Sequence, residues 1–191
     1  MFKNTKLKLT DVQVIFDKLK KAESTDEFKA LFNSFLNSAR AITNAIQKEG
    51  KNINGFEKWY KEKQNEMKSD KLLRFIHESR TVDFHEGKNL FKYPGGKINH
   101  FDTSKIGEKP TPNAKLGIFR DGIYWTINEG TSQERRIPVN SGGNYAFYIS
   151  LENPPMEHLG KKLIKNDPIS ICQLSIRYYQ DLVFEAEKQF T

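Results

Sequence analysis

The chain lacks the features that mark several large protein classes. It has one cysteine, Cys172, among 191 residues, so no intrachain disulfide can form, and the ligand spacing of a structural zinc site is absent. This composition fits a reducing compartment, and we expect a cytoplasmic protein. The opening residues MFKNTKLKLTDV contain no apolar run long enough for a signal peptide or a membrane helix, so we expect no membrane partner.

Several motifs of catalysis and cofactor binding are also missing. The chain has no phosphate-binding glycine loop, no dinucleotide fingerprint, no Gly-x-Ser-x-Gly elbow and no His-Glu-x-x-His pair. Internal repeats, low-complexity tracts and polybasic runs are not evident either. We therefore expect neither a cofactor nor a metal.

Basic charge and aromatic residues are what the chain does carry. The formal net charge is +7, and aromatic residues make up 12% of the sequence, which argues against disorder. The charge is +4 in residues 1–87 (17 basic, 13 acidic), +4 in 88–162 (11 and 7) and −1 in 163–191 (3 and 4). Such a field favours polyanions such as RNA, although an ordinary soluble protein can also carry it.

Helix signals are clear in the N-terminal part. Thr10 with Gln13 predicts the start of a first helix, and Ser24 with Glu27 predicts a capping box at the start of a second. Gly50 suits the left-handed cap that ends the second helix. The second helix carries an apolar seam with steps of three and four: Phe28, Phe32, Phe35, Ala39, Ile42 and Ile46.

The later part of the chain alternates between helix and strand signals. Trp59 and Tyr60 belong to a third helix and favour a place in the core over a ligand platform. Residues 88–159 are rich in Gly, Pro and Asn, and Asp121-Gly122 predicts a hairpin between LGIF and IYWTI. Asp167-Pro168 starts a last helix that is apolar on two sides, so it either packs centrally or joins a second subunit.

These elements predict a mainly α fold of the α+β class. We expect a four- or five-helix bundle with a small antiparallel β-sheet inserted before the last helix. A chain of this length can bury one good core, which predicts a single domain over residues 1–191. Its parts are the N-terminal helices at 1–87, the inserted β subdomain at 88–159 and the C-terminal helix at 160–191 that completes the bundle.

One helix, DKLLRFIHESRTVDFHEG at 70–87, collects a His, an Arg and several carboxylates. On a wheel of about 100° per residue, Arg80 and Asp83 fall inside its apolar arc. A charged group on a buried face must be paired or serve a function, because desolvating it alone is costly. Arg80 either pairs with Asp83 or with a carboxylate on another helix, or it combines with His85 to handle phosphate.

Four stretches together resemble a known family: FNSFLNSARAITNAIQKEG, FEKWYKEKQNEM, SRTVDFHEG and DPISICQLSIRYYQDLVFEAEKQF. They resemble the HEPN-like bacterial proteins over about residues 24–87 and 155–190. The resemblance implies a four- or five-helix bundle that usually dimerises. Catalytic members are metal-independent ribonucleases, often toxins or phage-defence effectors, whose motif is an Arg followed after four to six residues by a His. Arg80 and His85 have four residues between them, whereas Thr81 departs from the usual Asn, Asp or His.

The resemblance implies an RNA endonuclease with Arg80 and His85 as catalytic residues. An imidazole can take the 2′-OH proton or protonate the leaving 5′-oxygen, and a guanidinium can clamp the phosphate. Arg40, Thr81 and Glu78 are the candidate substrate-binding residues. The two catalytic side chains stand about 140° apart on a straight helix, so we expect either a bend at the helix end or a composite site in a homodimer.

Structural explanations exist for the same residues. His85 can be merely solvated, His77 can be a core histidine, and His100 and His158 can be loop residues, while Arg40 can pair with a carboxylate. The alternative function is a non-catalytic dimeric module that binds a nucleotide, RNA or a protein. The expected partners are a second copy of the chain, RNA and, for a toxin, an antitoxin protein.

Overall fold

The chain folds as two compact units in a computed structural model. The helical unit comprises Met1–Phe91 with Leu151–Thr191, and the sheet unit comprises Lys92–Ser150. The described residues are 1–22, 24–86, 90–98, 106–119, 122–139 and 145–190. Within them, the side chains that lie outside the description are those of 81–86, 93–98, 118–119, 122 and 145–148.

The described ranges contain five helices, all in the helical unit: α1 Lys3–Leu19, α2 Thr25–Gly50, α3 Phe56–Ser69, α4 Lys71–Glu86 and α5 Pro168–Phe190. In these ranges no helix combines the length and the apolar character needed to cross a bilayer. Together with the small sheets, the helices confirm the predicted mainly α fold of the α+β class.

The strands described are β1 Phe91–Ile98, β2 Lys115–Phe119, β3 Gly122–Ile127, β4 Arg135–Pro138, β5 Tyr145–Leu151, β6 Glu157–His158 and β7 Lys161–Lys162. β1 pairs with β5, and β2, β3 and β4 form an antiparallel sheet in that order. Phe119 pairs with Gly122, which confirms the hairpin predicted from Asp121-Gly122, although Asp121 itself lies outside the described residues.

Helix α1 begins well before Thr10, so the predicted start is wrong. Phe2 precedes the helix in a left-handed conformation with φ of 55° and offers no side-chain cap. The backbone N–H groups of Asn4 and Thr5 instead donate to the Glu49 carboxylate at 2.9 Å each, and the Thr5 hydroxyl donates to it at 2.6 Å. This cap comes from the far end of α2, which a local sequence pattern cannot reveal.

Helix α2 begins as predicted but ends for a different reason. The backbone N–H of Glu27 donates to Ser24 Oγ at 3.1 Å, and the apolar seam is buried except for the half-buried Phe28. Gly50 is not left-handed, so the predicted cap is wrong. A Cβ on Gly50 would collide with the ring of Phe56, so glycine is needed here for close packing of α3.

Helix α5 packs centrally within its own chain, which decides between the two predicted roles. Both of its apolar lines are mostly buried in the helical unit, with Ile169, Leu174 and Phe190 half-buried. The buried positions are Pro168, Ile171, Cys172, Ser175, Ile176, Tyr178, Tyr179, Leu182, Val183 and Ala186. The second apolar side therefore needs no partner subunit to cover it.

The corner between α3 and α4 is fixed by Asp70, which is 7% exposed. Its Oδ1 accepts from the backbone N–H of Leu73 at 2.7 Å, and its Oδ2 accepts from that of Leu159 at 2.6 Å. His158 Nδ1 lies 3.1 Å from Oδ1, and the imidazole packs edge-on against Tyr178. The prediction of His158 as a loop residue is therefore wrong, whereas His100 lies outside the described residues.

The Glu49 cap predicts how stability depends on acid. Burial raises the pKa of the Glu49 carboxyl, but the hydrogen bonds from Thr5 and Asn4 outweigh it and set the pKa below its ordinary 4.5. Stability from such a group is present above the unfolded pKa and is lost as the pH falls through the folded pKa. We expect Glu49→Gln to lower the free energy of unfolding at neutral pH by about 1 kcal/mol, because one carbonyl oxygen cannot accept all three bonds.

Urea denaturation at neutral pH and at about pH 3 measures this contribution. The variant should lose less stability between the two pH values than the parent does. Glu62→Gln, which removes an exposed carboxylate of α3, is the matched control. If the two variants lost the same free energy of unfolding between neutral pH and pH 3, the assignment of Glu49 as the cap would be contradicted.

Candidate functional site

A cavity of about 450 Å³ lies among α2, α3, α4 and α5 of the helical unit. Its buried lining, here called the floor, consists of Leu36, Thr43, Tyr60, Leu73, Ile76 and Tyr179. Its exposed lining, here called the rim, consists of Arg40, Lys68, Arg74, His77, Glu78 and Arg80. The floor is largely apolar and the rim is largely cationic.

The rim carries more positive than negative charge among its described side chains. Arg74 Nε lies 3.8 Å from the Glu78 carboxylate, a loose pair one helical turn apart. Among the residues with described side chains, no carboxylate lies within ion-pair distance of Arg40, Lys68 or Arg80. Three cations around one opening without a described carboxylate partner form a positively charged surface.

Neutral partners orient the two arginines. Arg80 Nε donates to Asn37 Oδ1 at 3.1 Å, and Asn37 Nδ2 donates to the carbonyl oxygen of Asn33 at 3.0 Å. Arg40 Nη1 donates to Thr43 Oγ1 at 3.3 Å. These contacts hold each guanidinium in place without cancelling its charge and leave most of its N–H groups for a ligand.

His77 brings an imidazole to the same rim. Partial burial lowers the pKa of His77, and the nearby charges of Arg40 and Arg80 lower it further. The ring is therefore mostly neutral at pH 7, a form that can accept one hydrogen bond and donate another. The side chain is exposed, so the prediction of a core histidine is wrong.

Two tyrosines contribute hydroxyl groups to the floor, and only one of them is used. The Tyr60 hydroxyl donates to the carbonyl oxygen of Thr43 at 2.7 Å, and burial raises the pKa of Tyr60 to about 12 despite the charge of Arg40. Tyr179 is 5% exposed, and burial raises its pKa as well. Its hydroxyl has no hydrogen-bond partner among the described residues, and because it is not one of their fully buried polar atoms, its oxygen keeps some accessible surface.

The structure brings part of the predicted site together. Arg40, Arg80 and Glu78 line one cavity, so two of the predicted phosphate contacts share an opening. The side chains of Thr81 and His85 lie outside the described residues, although both positions belong to α4.

Arg80 is exposed, so its predicted place on a buried face is wrong. The helical wheel correctly sets Arg80 close to Leu73 and Ile76, and all three residues line the cavity. On a neighbouring helix Arg80 donates to the amide oxygen of Asn37, which is not the carboxylate of one predicted alternative. The other predicted partner, Asp83, has its side chain outside the described residues.

Sequence reasoning missed most residues of the cavity, among them Lys68, His77 and Tyr179. A signal for His77 existed, because Arg74, His77 and Arg80 follow one another at steps of three along one face of α4. Tyr179 gives no such signal, since it belongs to the apolar pattern of α5.

Comparison with known proteins gives one match. The family model described as bacteriophage lambda protein ea47 matches residues 6–87, which is fewer than half of the 191 residues. The matched span includes every cavity residue except Tyr179. No curated protein and no solved structure matches the chain. The chain is thus similar to the ea47 family in its N-terminal helices, and the HEPN-like resemblance stays a prediction.

The two floor tyrosines should differ in their effect on stability. Tyr60→Phe removes the donor to the Thr43 carbonyl, so we expect it to lower the free energy of unfolding by about 1 kcal/mol. Tyr179→Phe removes a hydroxyl without a partner, so we expect a change near zero. Urea denaturation of both variants measures the difference, and an equal loss in Tyr179→Phe would show that its hydroxyl is already bonded within the protein.

Proposed function

We propose that the helical unit binds RNA through a phosphate held at the rim by Arg40, Arg80 and Lys68. The observation that carries this proposal is the group of three cations around one opening, none of which has a carboxylate partner among the described side chains. Guanidinium groups suit phosphate because they offer paired N–H donors, and the lysine adds a point charge. Glu78 has no part in phosphate binding here, because its carboxylate would repel the ligand.

A polyanion is favoured over a small anion by the charge of the whole chain. The net charge of +7 gives a long-range attraction that a nucleic acid exploits along its backbone. The non-catalytic binding module and the ribonuclease both require this step. The RNA-binding proposal therefore holds whether or not the protein also cleaves RNA.

Metal-independent RNA cleavage is the second candidate function, and the neutral imidazole of His77 favours it. His77 lines the same cavity as Arg80, so one chain supplies both a proton acceptor and a stabiliser of phosphate charge. His85 remains the alternative base through the HEPN-like motif. A composite dimeric site is not needed to bring an imidazole to Arg80.

A homodimer, an antitoxin partner and a toxin or phage-defence role belong to this second candidate. The similarity to a phage protein family supports a phage-associated setting. These partners are proposed because of the HEPN-like resemblance alone. No contact among the described residues bears on them.

The rim arginines should contribute directly to RNA affinity. We expect Arg40→Gln and Arg80→Gln each to weaken binding of a fluorescent single-stranded RNA by about tenfold, because each loses a charge-assisted contact worth about 1.4 kcal/mol. Each variant should also reduce, by about one, the magnitude of the slope of the logarithm of the binding constant against the logarithm of the salt concentration. Fluorescence anisotropy at several salt concentrations measures both quantities.

Arg177→Gln is the matched control, because Arg177 is an exposed arginine of α5 outside the cavity lining. It removes the same charge and should change affinity much less. An equal loss in all three variants would indicate general attraction and contradict a phosphate site at the rim. A matched single-stranded DNA tests the preference for RNA.

Cleavage is tested separately with structured RNA in the presence of EDTA. We expect the rate to fall about a hundredfold or more in His77→Ala or in His85→Ala, since loss of a general base has that effect. A fall confined to His77→Ala assigns the base to the cavity, and one confined to His85→Ala supports the motif. No cleavage by the parent protein, or equal cleavage by all, would contradict the endonuclease while leaving the binding proposal intact.

A further inference from the structure

The cavity floor is chemically different from the rim and needs a different part of a ligand. Leu36, Leu73 and Ile76 are only 1%, 3% and 3% exposed, and the half-buried Met67 adds to this apolar wall. A phosphate placed there would lose its hydration without gaining ion partners, which is costly. A ligand that fills the cavity must therefore carry an apolar group next to its phosphate.

The size of the cavity limits that group. A volume of about 450 Å³ lies in the lower part of the range usual for small-molecule sites, about 300 to 1,000 Å³. Helices α2, α3, α4 and α5 all contribute to its lining. The space suits one compact planar group and its sugar, and it is too small for a stretch of stacked strand.

Two polar side chains supply hydrogen bonds inside this apolar lining. The Tyr179 hydroxyl is without a partner in the described part of the chain. Gln64 of α3 is half-buried, lines the same cavity and likewise has no partner among the described residues. A hydroxyl and a carboxamide together offer donors and acceptors of the kind that nucleobase edges require.

We infer that the cavity takes a single unstacked nucleobase, with the attached phosphate at the rim cations. This inference rests on the proposed function and adds the part of the nucleotide that enters the floor. Tyr179 and Gln64 bind the base edge, and Leu36, Leu73 and Ile76 contact its faces. A base in a duplex is stacked and paired and cannot enter the cavity, so the ligand class is unpaired RNA. A free nucleotide offers the same base and phosphate and could bind in the same way.

Calorimetric titration with nucleoside 5′-monophosphates, ribose 5-phosphate and inorganic phosphate separates the two parts of the ligand. We expect at least one nucleoside monophosphate to bind about tenfold or more tightly than ribose 5-phosphate, because only the former fills the apolar floor. Tyr179→Phe should reduce this preference by about three- to tenfold and leave the affinity for inorganic phosphate unchanged. Tyr178→Phe, which removes a buried hydroxyl outside the cavity lining, is the matched control and should keep the preference.

The possible outcomes distinguish this inference from the proposed function. Equal affinities for ribose 5-phosphate and all nucleotides would overturn the base site and leave the phosphate site standing. No binding of any phosphate compound or of RNA would overturn both. Displacement of the bound monophosphate by single-stranded RNA, but not by duplex RNA, supports unpaired RNA as the source of the base. If single-stranded RNA failed to displace the bound monophosphate, unpaired RNA would be rejected as the source of the base, and the ligand would be a free nucleotide.

Discussion

The buried carboxylate of Asp70 fixes the corner on which the cavity depends. It accepts backbone N–H groups from Leu73 in α4 and from Leu159 beside β6, and it contacts the His158 imidazole. Each charge-assisted bond of this kind contributes about 1.5 to 3 kcal/mol, and leaving such a carboxylate unpaired would cost more. Because the bonds set the direction in which α4 leaves α3, they also set where the rim residues of α3 and α4 stand relative to each other.

The cavity combines an apolar floor with uncompensated cations, and the arrangement is stable because the two are separated by depth. Arg40, Lys68 and Arg80 are exposed and keep their hydration, so they do not incur the desolvation cost of buried charge. Arg40 and Arg80 each donate a hydrogen bond to a neutral side chain, Thr43 and Asn37 respectively. The pKa of His77 is lowered first by its partial burial and further by the nearby charges of Arg40 and Arg80.

Features set by neighbouring residues were predictable from the sequence. The Ser24 cap, the seam of α2 and the hairpin between β2 and β3 all follow from local geometry and were confirmed. The wrong predictions share a different cause. The start of α1 depends on Glu49, which lies more than forty residues away in sequence, and the fit of Gly50 depends on the Phe56 ring. Contacts of this kind are set by packing and leave no local pattern.

The candidate site shows the same division. Arg40 and Arg80 were recognised because charged residues near an apolar seam are conspicuous. A helical wheel gives the direction of a side chain, but it does not show whether that direction leads to packed core or to a cavity. Arg80 lines a cavity and is exposed, so it is not the buried charge that the wheel predicts. The motif based on spacing pairs Arg80 with His85, whereas in the structure His77 is the imidazole that lines the same cavity as Arg80 among the described side chains. Arg80 belongs both to the Arg80–His85 motif and to the cavity with His77, so substituting Arg80 cannot distinguish the two sites. Substituting each histidine in turn can, because each site has a different imidazole.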